Sequence, residues 1–454
     1  MSEWKKVKIG DICRIVKGTT GIANAEPGKY PLVVTAEERK TCSTYQFDCE
    51  AVCIPLVSSS GHGKKSLKNV HYQSGKFALG TILCAVIPNN PQELDARYLH
   101  QYLQFYKDII LVPLMKGAAN VSLSMKDIAT VEFPLPPIES QRELSNLFVS
   151  LQEKQKELSA EYEKQTEYAK LLRQNILQQA IEGKLTTDWR KQNPVQKGNP
   201  DYDAEALFEQ IQKEEVSPSL QPASQFSATP SAGSKAARNA RSKSLTPITD
   251  EEKPFEMPDG WKWVRLGEIA SIARGGSPRP IEQYITQRDD GLNWIMIGDT
   301  KKDSKYITST AKKIDPSGLN KTRMVHKGDF ILSNSMSFGR PYILEIDGCI
   351  HDGWLVLSGG ITLVNKDYLY NVLSSTFVYK QFSSIVTGGI VKNLNSDKVS
   401  ITLIPLPPLK EQEEIVNKIE TLLAKVTTLE SQIQERKSLS DKLIFGIIKE
   451  KLEE

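Results

Sequence analysis

Trp4-Lys-Lys-Val-Lys-Ile-Gly-Asp-Ile12 returns as Trp261-Lys-Trp-Val-Arg-Leu-Gly-Glu-Ile269, and Pro134-Leu-Pro-Pro-Ile138 returns as Pro405-Leu-Pro-Pro-Leu409. The chain therefore carries two copies of one module. The opening segments are offset by 257 positions and the closing segments by 271, so the second copy holds 14 more residues between the same landmarks. A repeat this long is a duplicated domain, not a solenoid unit of roughly 20 to 50 residues. Duplication of a domain makes a pseudo-symmetric molecule suited to a two-sided target, and pseudo-symmetric DNA is the leading candidate.

With 454 residues the chain accommodates two to four domains, each large enough to bury a core. The start, Met1-Ser-Glu-Trp-Lys-Lys, lacks the apolar stretch of a signal peptide, and no later segment offers 18 uncharged apolar residues in a row, so a cytoplasmic location is expected. Six cysteines, five of them at or before Cys84, make no disulfide framework and read as reduced thiols. A net charge of +3 is small for a nucleic-acid binder, which leaves the local placement of Lys and Arg to decide that question.

Within each copy, apolar β-branched runs that stop at Gly, Asn or Ser predict short strands: Ala51–Val57, Gly80–Ile87, Asp329–Ser333 and Trp354–Leu357. After the Pro-Leu-Pro-Pro stop each copy turns into a long charged helix. The first helix places Leu144, Phe148, Leu151, Gln155, Leu158, Tyr162, Gln165, Ala169, Leu172 and Ile176 at alternating steps of four and three, a heptad seam. A shift of 271 turns these into Ile415, Ile419, Leu422, Val426, Leu429, Ile433, Arg436, Ser440, Leu443 and Ile447, the same seam in the same register. Each seam needs a partner, and the other copy is the nearest in covalent reach. An antiparallel pair of about 40-residue helices, at ~1.5 Å per residue, makes a spacer of roughly 60 Å with one module at each end. An amphipathic helix folded onto its own module is the simpler alternative, but a short bundle helix does not require ten heptad positions in register.

The expected organisation is thus an α/β mixed fold: two pseudo-symmetric recognition domains, 1–137 and 259–408, and two long antiparallel coiled-coil helices, 138–185 and 409–454. Between the copies, 186–258 reads as a linker. Its stretch 217–247, rich in Ser, Ala, Pro and Gln, has the composition of a disordered segment, and Tyr202 to Glu215 reads as a short helix.

The sequence offers no active site. Gly61-His-Gly-Lys-Lys-Ser66 lacks the spacing of a phosphate loop; Cys42, Cys49, Cys53, His62 and His71 contain no C-x-x-C pair and have no counterpart in the second copy. No methyltransferase, hydrolase or metalloprotease motif is present, and no metal is expected. What recurs is loops carrying groups that read base edges and hold phosphates. The second copy has Arg274-Gly-Gly-Ser-Pro-Arg279, Gly298-Asp-Thr-Lys-Lys302, Ser333-Asn-Ser-Met-Ser-Phe-Gly-Arg340 and Thr387–Asn393. The first has Lys17-Gly-Thr-Thr20, Ser58-Ser-Ser-Gly-His-Gly-Lys-Lys65 and Lys116-Gly-Ala-Ala-Asn120. The candidate DNA-contacting residues are Lys17, Thr19, Ser58, Ser59, Ser60, His62, Lys64, Lys65, Asn120, Arg274, Ser277, Arg279, Lys301, Ser333, Asn334, Ser335, Ser337, Arg340, Lys392 and Asn393. Polar turns of no function are the alternative for any one loop; recurrence in both copies argues against it for the set.

These residues resemble the specificity subunit of a Type I restriction-modification system. The resemblance rests on two variable domains, each opened by Trp-x-x-Val-x-Ile/Leu-Gly-Asp/Glu-Ile and closed by Pro-Leu-Pro-Pro-x-x-x-Gln, here ending at Gln141 and Gln412, and on Gln179-Ala-Ile-Glu-Gly-Lys-Leu185 at the end of the first helix. It implies a non-catalytic subunit whose two domains each read one half of a gapped, asymmetric site while the helices set the gap. It also implies two modification subunits that dock on the helices and use S-adenosylmethionine to methylate an adenine flipped from each half-site, and restriction subunits that add ATP/Mg-dependent translocation and cleavage. Copy one departs most, since Ser58 to Lys65 stands in place of Ser-Asn-Ser-Met-Ser-Phe-Gly. The rival readings are a coiled-coil scaffold whose loops bind protein, and a self-sufficient methyltransferase or nuclease, for which the sequence offers no cofactor site.

Overall fold

The computed structural model describes residues 4–60, 63–216, 246–301, 304–334, 338–385 and 394–453. The chain forms two compact units, Met1–Gln165 with Gln432–Glu454, and Thr166–Ser431. Among the described residues no helix is long and apolar enough to cross a membrane.

The two copies share a register, not only landmarks. In the first unit Lys6–Lys8 pairs antiparallel with Glu132–Pro134, placing Val7 opposite Phe133; in the second Lys262–Arg265 pairs with Leu403–Leu406, placing Val264 opposite Ile404. A one-turn helix follows, Ile9–Ile12 or Leu266–Ile269, and then a strand, Cys13–Lys17 or Ser271–Arg274. The glycine of the opening motif lets this turn approach a second short helix. A Cβ on Gly10 would lie 3.0 Å from the Ala129 Cβ, and one on Gly267 would lie 2.7 Å from the Ser400 Cβ.

The closing motif has an equally local cause. Its glutamine is fully buried in both copies. Gln141 accepts from Asp95 N (2.8 Å) and donates to Glu93 O and Pro136 O (2.9 and 2.8 Å); Gln412 accepts from Asn365 N and donates to Pro407 O (both 2.8 Å). Asp95 and Asn365 in turn cap the helices Ala96–Ile110 and Lys366–Leu373 through backbone amides of the first turn. The hydroxyls of Tyr98 and Tyr368 then donate to Pro134 O and Pro405 O, at 2.9 and 2.8 Å. One side-chain amide thus ties the proline run, the capped helix and the start of the long helix together. Its deletion would leave several buried backbone groups unpaired.

Besides the two-stranded opener–closer sheet, the described residues of each unit form two larger sheets. In the first, Cys13–Lys17, Leu83–Pro88, Ala51–Pro55 and His71–Gln73 lie in that order, beside a sheet of Lys40–Cys42, Tyr30–Val33, Lys76–Leu79 and Phe47–Asp48. In the second, the corresponding sheet is Ser271–Arg274, Trp354–Ser358, Phe330–Ser333, Pro341–Leu344 and Tyr306–Ile307. Its companion is Ile285–Thr286, Lys312–Ile314, Leu292–Ile295, Gly348–Ile350 and Arg323–Val325. Strands occur where the apolar runs predict them, with ends shifted by one to three residues: Ala51–Pro55, Leu83–Pro88, Phe330–Ser333 and Trp354–Ser358.

The long helices are Ile138–Ile181 and Leu409–Glu453, and both run from one unit into the other. Their segments pair antiparallel in each unit. In the first, Leu144 and Phe148 share a core with Ile444, Ile448 and Leu452, Leu151 packs against it, and Gln155 Nε2 donates to Asp441 Oδ1 at 2.9 Å. In the second, Ala169, Ile176 and Ala180 share a core with Ile415, Ile419 and Val426, against which Leu422 packs. Full burial of a side chain such as Phe148 or Ile415 contributes about 1.5–3 kcal/mol.

The expected seam needs one correction. Leu158 is half-buried, but Leu172, Leu429 and Leu443 are 44%, 47% and 65% exposed. Burial runs 165-169-173 in the first helix and 422-426-430 in the second, two consecutive steps of four, and then continues through 176 and 180, and through 433, 437, 440, 444 and 448. A strict heptad drifts by about 20° per repeat on a 3.6-residue helix, and a stutter of this kind takes up the drift. Arg173 replaces Leu172 at the seam, Glu430 replaces Leu429, and Ile444 replaces Leu443.

Between the copies a helix forms where the short one is expected, and most of the Ser-, Ala-, Pro- and Gln-rich stretch, 217–245, lies outside the described residues. Thr187–Gln192 and Ala204–Val216 are helices, and Leu207 and Ile211 lie in the second unit's core. Gly183, at φ +68°, ends the first long helix where a Cβ would meet Pro258 at 2.6 Å and Trp261 at 3.1 Å. The buried Glu411 carboxylate accepts from Thr186 Oγ1 (2.6 Å) and Trp261 Nε1 (2.7 Å) and pairs with Arg190, which fixes this turn against the opening motif of the second copy.

Candidate nucleic-acid interface

In each unit, strand pairing gathers loops at one end of the sheet that contains Cys13–Lys17 or Ser271–Arg274. Lys17 ends its strand opposite Cys84, and Arg274 ends its strand opposite Leu355; these are the same position of the two copies. Pro55 ends its strand opposite Leu83, and Ser333 ends its strand opposite Trp354. The backbones beyond match as well: Leu56 N donates to Ile82 O and Leu123 N to Leu56 O, as Asn334 N donates to Gly353 O and Leu394 N to Asn334 O. Among the described residues, 18–20, 56–60, 63–66, 80–82 and 116–122 therefore meet at one sheet end, and 275–280, 334, 338–340 and 351–353 at the corresponding end in the other unit. Gly18 and Gly275 permit this approach, since a Cβ on either would come within 2.2 Å of a carbonyl oxygen, that of Gly80 or His351.

In the first unit the exposed Lys17 and Thr19 are bridged by a residue that sequence reasoning missed. Gln46 accepts from Thr19 N and donates to Lys17 O, both at 2.9 Å. The loop serines brace their own loop. Ser58 Oγ donates to Lys64 O, Ser59 Oγ accepts from Lys68 N at 2.9 Å, and Ser60 Oγ lies 2.7 Å from Ser66 Oγ. Ser59 and Ser60 stay exposed in the same loop as the exposed Lys64 and Lys65. Asn120 is exposed on the neighbouring loop, where Ala118 O packs close to Gly63. His62 lies outside the described residues.

In the second unit the side chains converge on Asp352, a residue absent from the sequence-predicted set. Ser277 Oγ donates to Asp352 Oδ1 at 2.6 Å, and Arg279 Nη2 stands 3.6 Å from Oδ2. Arg274 Nε and Asn334 Nδ2 both donate to the Asp352 carbonyl, at 2.9 and 2.8 Å. The Ser277 hydroxyl holds the Asp352 carboxyl below the usual carboxylate range, with further help from His351 and Arg279, while burial lowers the pKa of His351. At neutral pH the loop presents a carboxylate beside a neutral imidazole. Arg323 Nε donates to Arg274 O at 2.9 Å, which brings another exposed cation to the rim.

Ser333 and Asn334 are buried, which corrects their expected role as direct contacts. Ser333 is a paired strand end whose Oγ accepts from Arg340 N, and the Asn334 amide is committed to residue 352. Both build the loop cluster from beneath. Arg340 is half-buried with its guanidinium 5.8 Å from the Tyr342 ring centroid. Lys301 is exposed beyond the turn Ile297–Asp299, and its carbonyl accepts from Ser304 N. Ser335, Ser337, Lys392 and Asn393 lie outside the described residues. A loop carboxylate carries no sequence signature, and only the tertiary structure reveals that residues 274 and 334 reach the carbonyl of Asp352 while 277 and 279 meet its carboxylate.

No group of three or more His, Cys, Asp or Glu side chains placed to hold a metal occurs among the described residues. The six cysteines are unpaired thiols, and burial pushes Cys13 and Cys84 up to about 12.

A family model described as the Type I restriction modification DNA specificity domain matches residues 1–167 and 258–436, one match per copy. The Type I restriction enzyme EcoDI specificity subunit of Escherichia coli is 24% identical over 439 residues, covering 95% of this chain and 84% of that protein. The EcoAI specificity subunit of the same organism is 29% identical over 207 residues, 42% of this chain and 33% of that protein. Among solved structures, a chain from a study of complex assembly and conformational transition of the type I R-M system superposes with a TM-score of 0.62 at 16% identity, covering 100% of this chain and 98% of its own. The HsdS subunit from Thermoanaerobacter tengcongensis gives 0.56 at 16% identity, covering 100% and 97%. With matched openers, matched closers and a family match to each copy, the chain belongs to the Type I restriction modification DNA specificity family, whose members are the non-catalytic, DNA-recognising components of their complexes.

Proposed function

We propose that the two copies each read one half of a gapped, asymmetric DNA site, through the loops gathered at the sheet end that carries Lys17 in one unit and Arg274 in the other. One observation carries this reading. Strand register puts a cation at the same sheet position in both copies, beside loops that differ in length and chemistry. A shared backbone and unlike loops suit a protein that reads two unlike half-sites. In this reading 1–137 and 259–408 are the recognition domains, 138–185 and 409–454 set the gap, and 186–258 connects the copies. Lys17, Thr19, Ser58, Ser59, Ser60, Lys64, Lys65, Asn120, Arg274, Ser277, Arg279, Lys301 and Arg340 contact DNA, as do His62, Ser335, Ser337, Lys392 and Asn393 in the remaining loops.

Two modification subunits dock on the long helices, whose exposed Leu172, Leu429 and Leu443 offer apolar contact. Those subunits bring S-adenosylmethionine for adenine methylation, and restriction subunits bring ATP and Mg, all in the cytoplasm. The test is modified-base mapping in cells expressing this chain with and without its modification partner. A gapped motif methylated in both halves only when both proteins are present is the expected result. No motif from a demonstrably assembled complex, together with duplex binding that is flat in salt, would favour a protein-binding scaffold instead.

A further inference from the structure

Asp352 is out of place as a purely structural residue. Arg274 and Asn334 reach its main-chain carbonyl, which any residue at 352 would supply. Among the described residues the carboxylate itself meets Ser277, His351 and Arg279, and its side chain remains 43% exposed at the sheet end. Oδ1 is taken by the Ser277 hydroxyl. Oδ2 stands 3.6 Å from the Arg279 guanidinium, beyond hydrogen-bond length, and Arg279 is itself 74% exposed. A carboxylate facing a polyanion is disfavoured unless cations offset the repulsion, and Arg274, Arg279 and Arg323 surround this loop.

We propose that Asp352 determines base identity in the half-site of the second unit, Oδ2 accepting a hydrogen bond from the exocyclic amino group of a cytosine or adenine in the major groove. This rests on the loop cluster being DNA-facing. An ionised carboxylate is acceptor-only. In the major groove cytosine N4 and adenine N6 are donors, whereas guanine O6 and thymine O4 are acceptors that would oppose it. The loop is pre-organised for such a contact. Asn334 and Arg274 hold the 352 carbonyl, Gly353 N donates to His351 Nδ1 at 2.8 Å, and Ser277 sets the carboxylate plane. The position is particular to this copy. Gly80 and His351 are equivalent by their approach to Gly18 and Gly275, so the next residue, Thr81, takes the place of Asp352 in the first unit and presents a hydroxyl that both donates and accepts.

The test uses the assembled complex with its modification subunit, comparing wild type, Asp352→Asn and Asp352→Thr by modified-base mapping and by competition among duplexes altered at single positions. Asparagine keeps the size and adds a donor. The expected result is that one position of one half-site stops rejecting guanine or thymine, with discrimination there falling about tenfold or more, while the other half-site is unchanged. An unchanged motif, or binding that weakens evenly over all sequences, overturns the inference. So does failure of both variants to assemble where wild type assembles, since that would make the side chain structural. Absence of any motif from the wild-type complex would instead defeat the DNA-reading function, a result distinct from any change confined to Asp352.

Discussion

Arg173 and Glu430 form a two-pronged ion pair across the long helices, Nε to Oε1 at 3.0 Å and Nη2 to Oε2 at 2.7 Å, with Nη2 also donating to Thr427 Oγ1 at 2.7 Å. Both occupy the places where burial leaves the heptad and takes two steps of four. The seam is thus closed by a fork of charges at the point where heptad arithmetic expects leucines.

A double-mutant cycle on Arg173→Ala and Glu430→Ala should give a coupling of about 0.5–1 kcal/mol, because each side chain is about one-third exposed. Hydrogen bonding to Arg173 lowers the Glu430 pKa, so the coupling should be present at neutral pH and lost as pH falls below the usual carboxylate range. Urea unfolding at pH 7 and pH 3 checks both the size and the direction.

His71 is buried, and burial, aided by the Arg39 charge, lowers its pKa from 6.5 to about 4. The unfolded chain binds this proton more readily than the folded one, so stability should fall as pH drops from about 6.5 to 4, by up to about 3 kcal/mol. His100 is shifted in the same direction by burial. Replacing His71 with Gln should flatten the stability profile over that window; an unaltered slope would show that His71 does not contribute to it.

Gly267→Val should destabilise the second unit by roughly 1–3 kcal/mol, since its side chain would overlap Ser400. Gly446→Ala is the contrasting case: nothing lies within 4 Å of that added Cβ, and alanine in an exposed helix interior should stabilise by about 1 kcal/mol. Thermal unfolding of the two variants should move in opposite directions.

Gln412→Leu should cost about 2–4 kcal/mol, because Asn365 N and Pro407 O would be left buried without partners. Gln141→Leu should act the same way in the first unit. Hydrogen exchange should localise each loss to the capped helix beside the substitution.

Under the proposed function, Lys17→Ala and Arg274→Ala should each weaken binding to one half-site only. Salt dependence should drop by about one counterion where the cation holds phosphate. Competition binding with half-site variants over a salt series reads both effects, and equal loss on both halves would contradict the division of labour.

Much of this architecture is legible in the residues because the same packing is made twice and so repeats in the sequence. Gly10 and Gly267 repeat because a short helix packs against them, and Gln141 and Gln412 repeat because each bonds backbone groups of both its proline run and the start of a capped helix. The interface is less legible. Ser333 and Asn334 have the chemistry of base readers, yet they are buried beneath the loops, and Asp352 is visible only through its partners.

The sequence by itself determined the duplication, the short strands within each copy and the long helix after each closer, since these follow from repetition, period and turn chemistry. Tertiary structure alone decided which face of each long helix is buried and which loop side chains reach the sheet end. A 3.6-residue helix drifts off a heptad, and contacts between loops far apart in the chain depend on strand pairing, which no local pattern records.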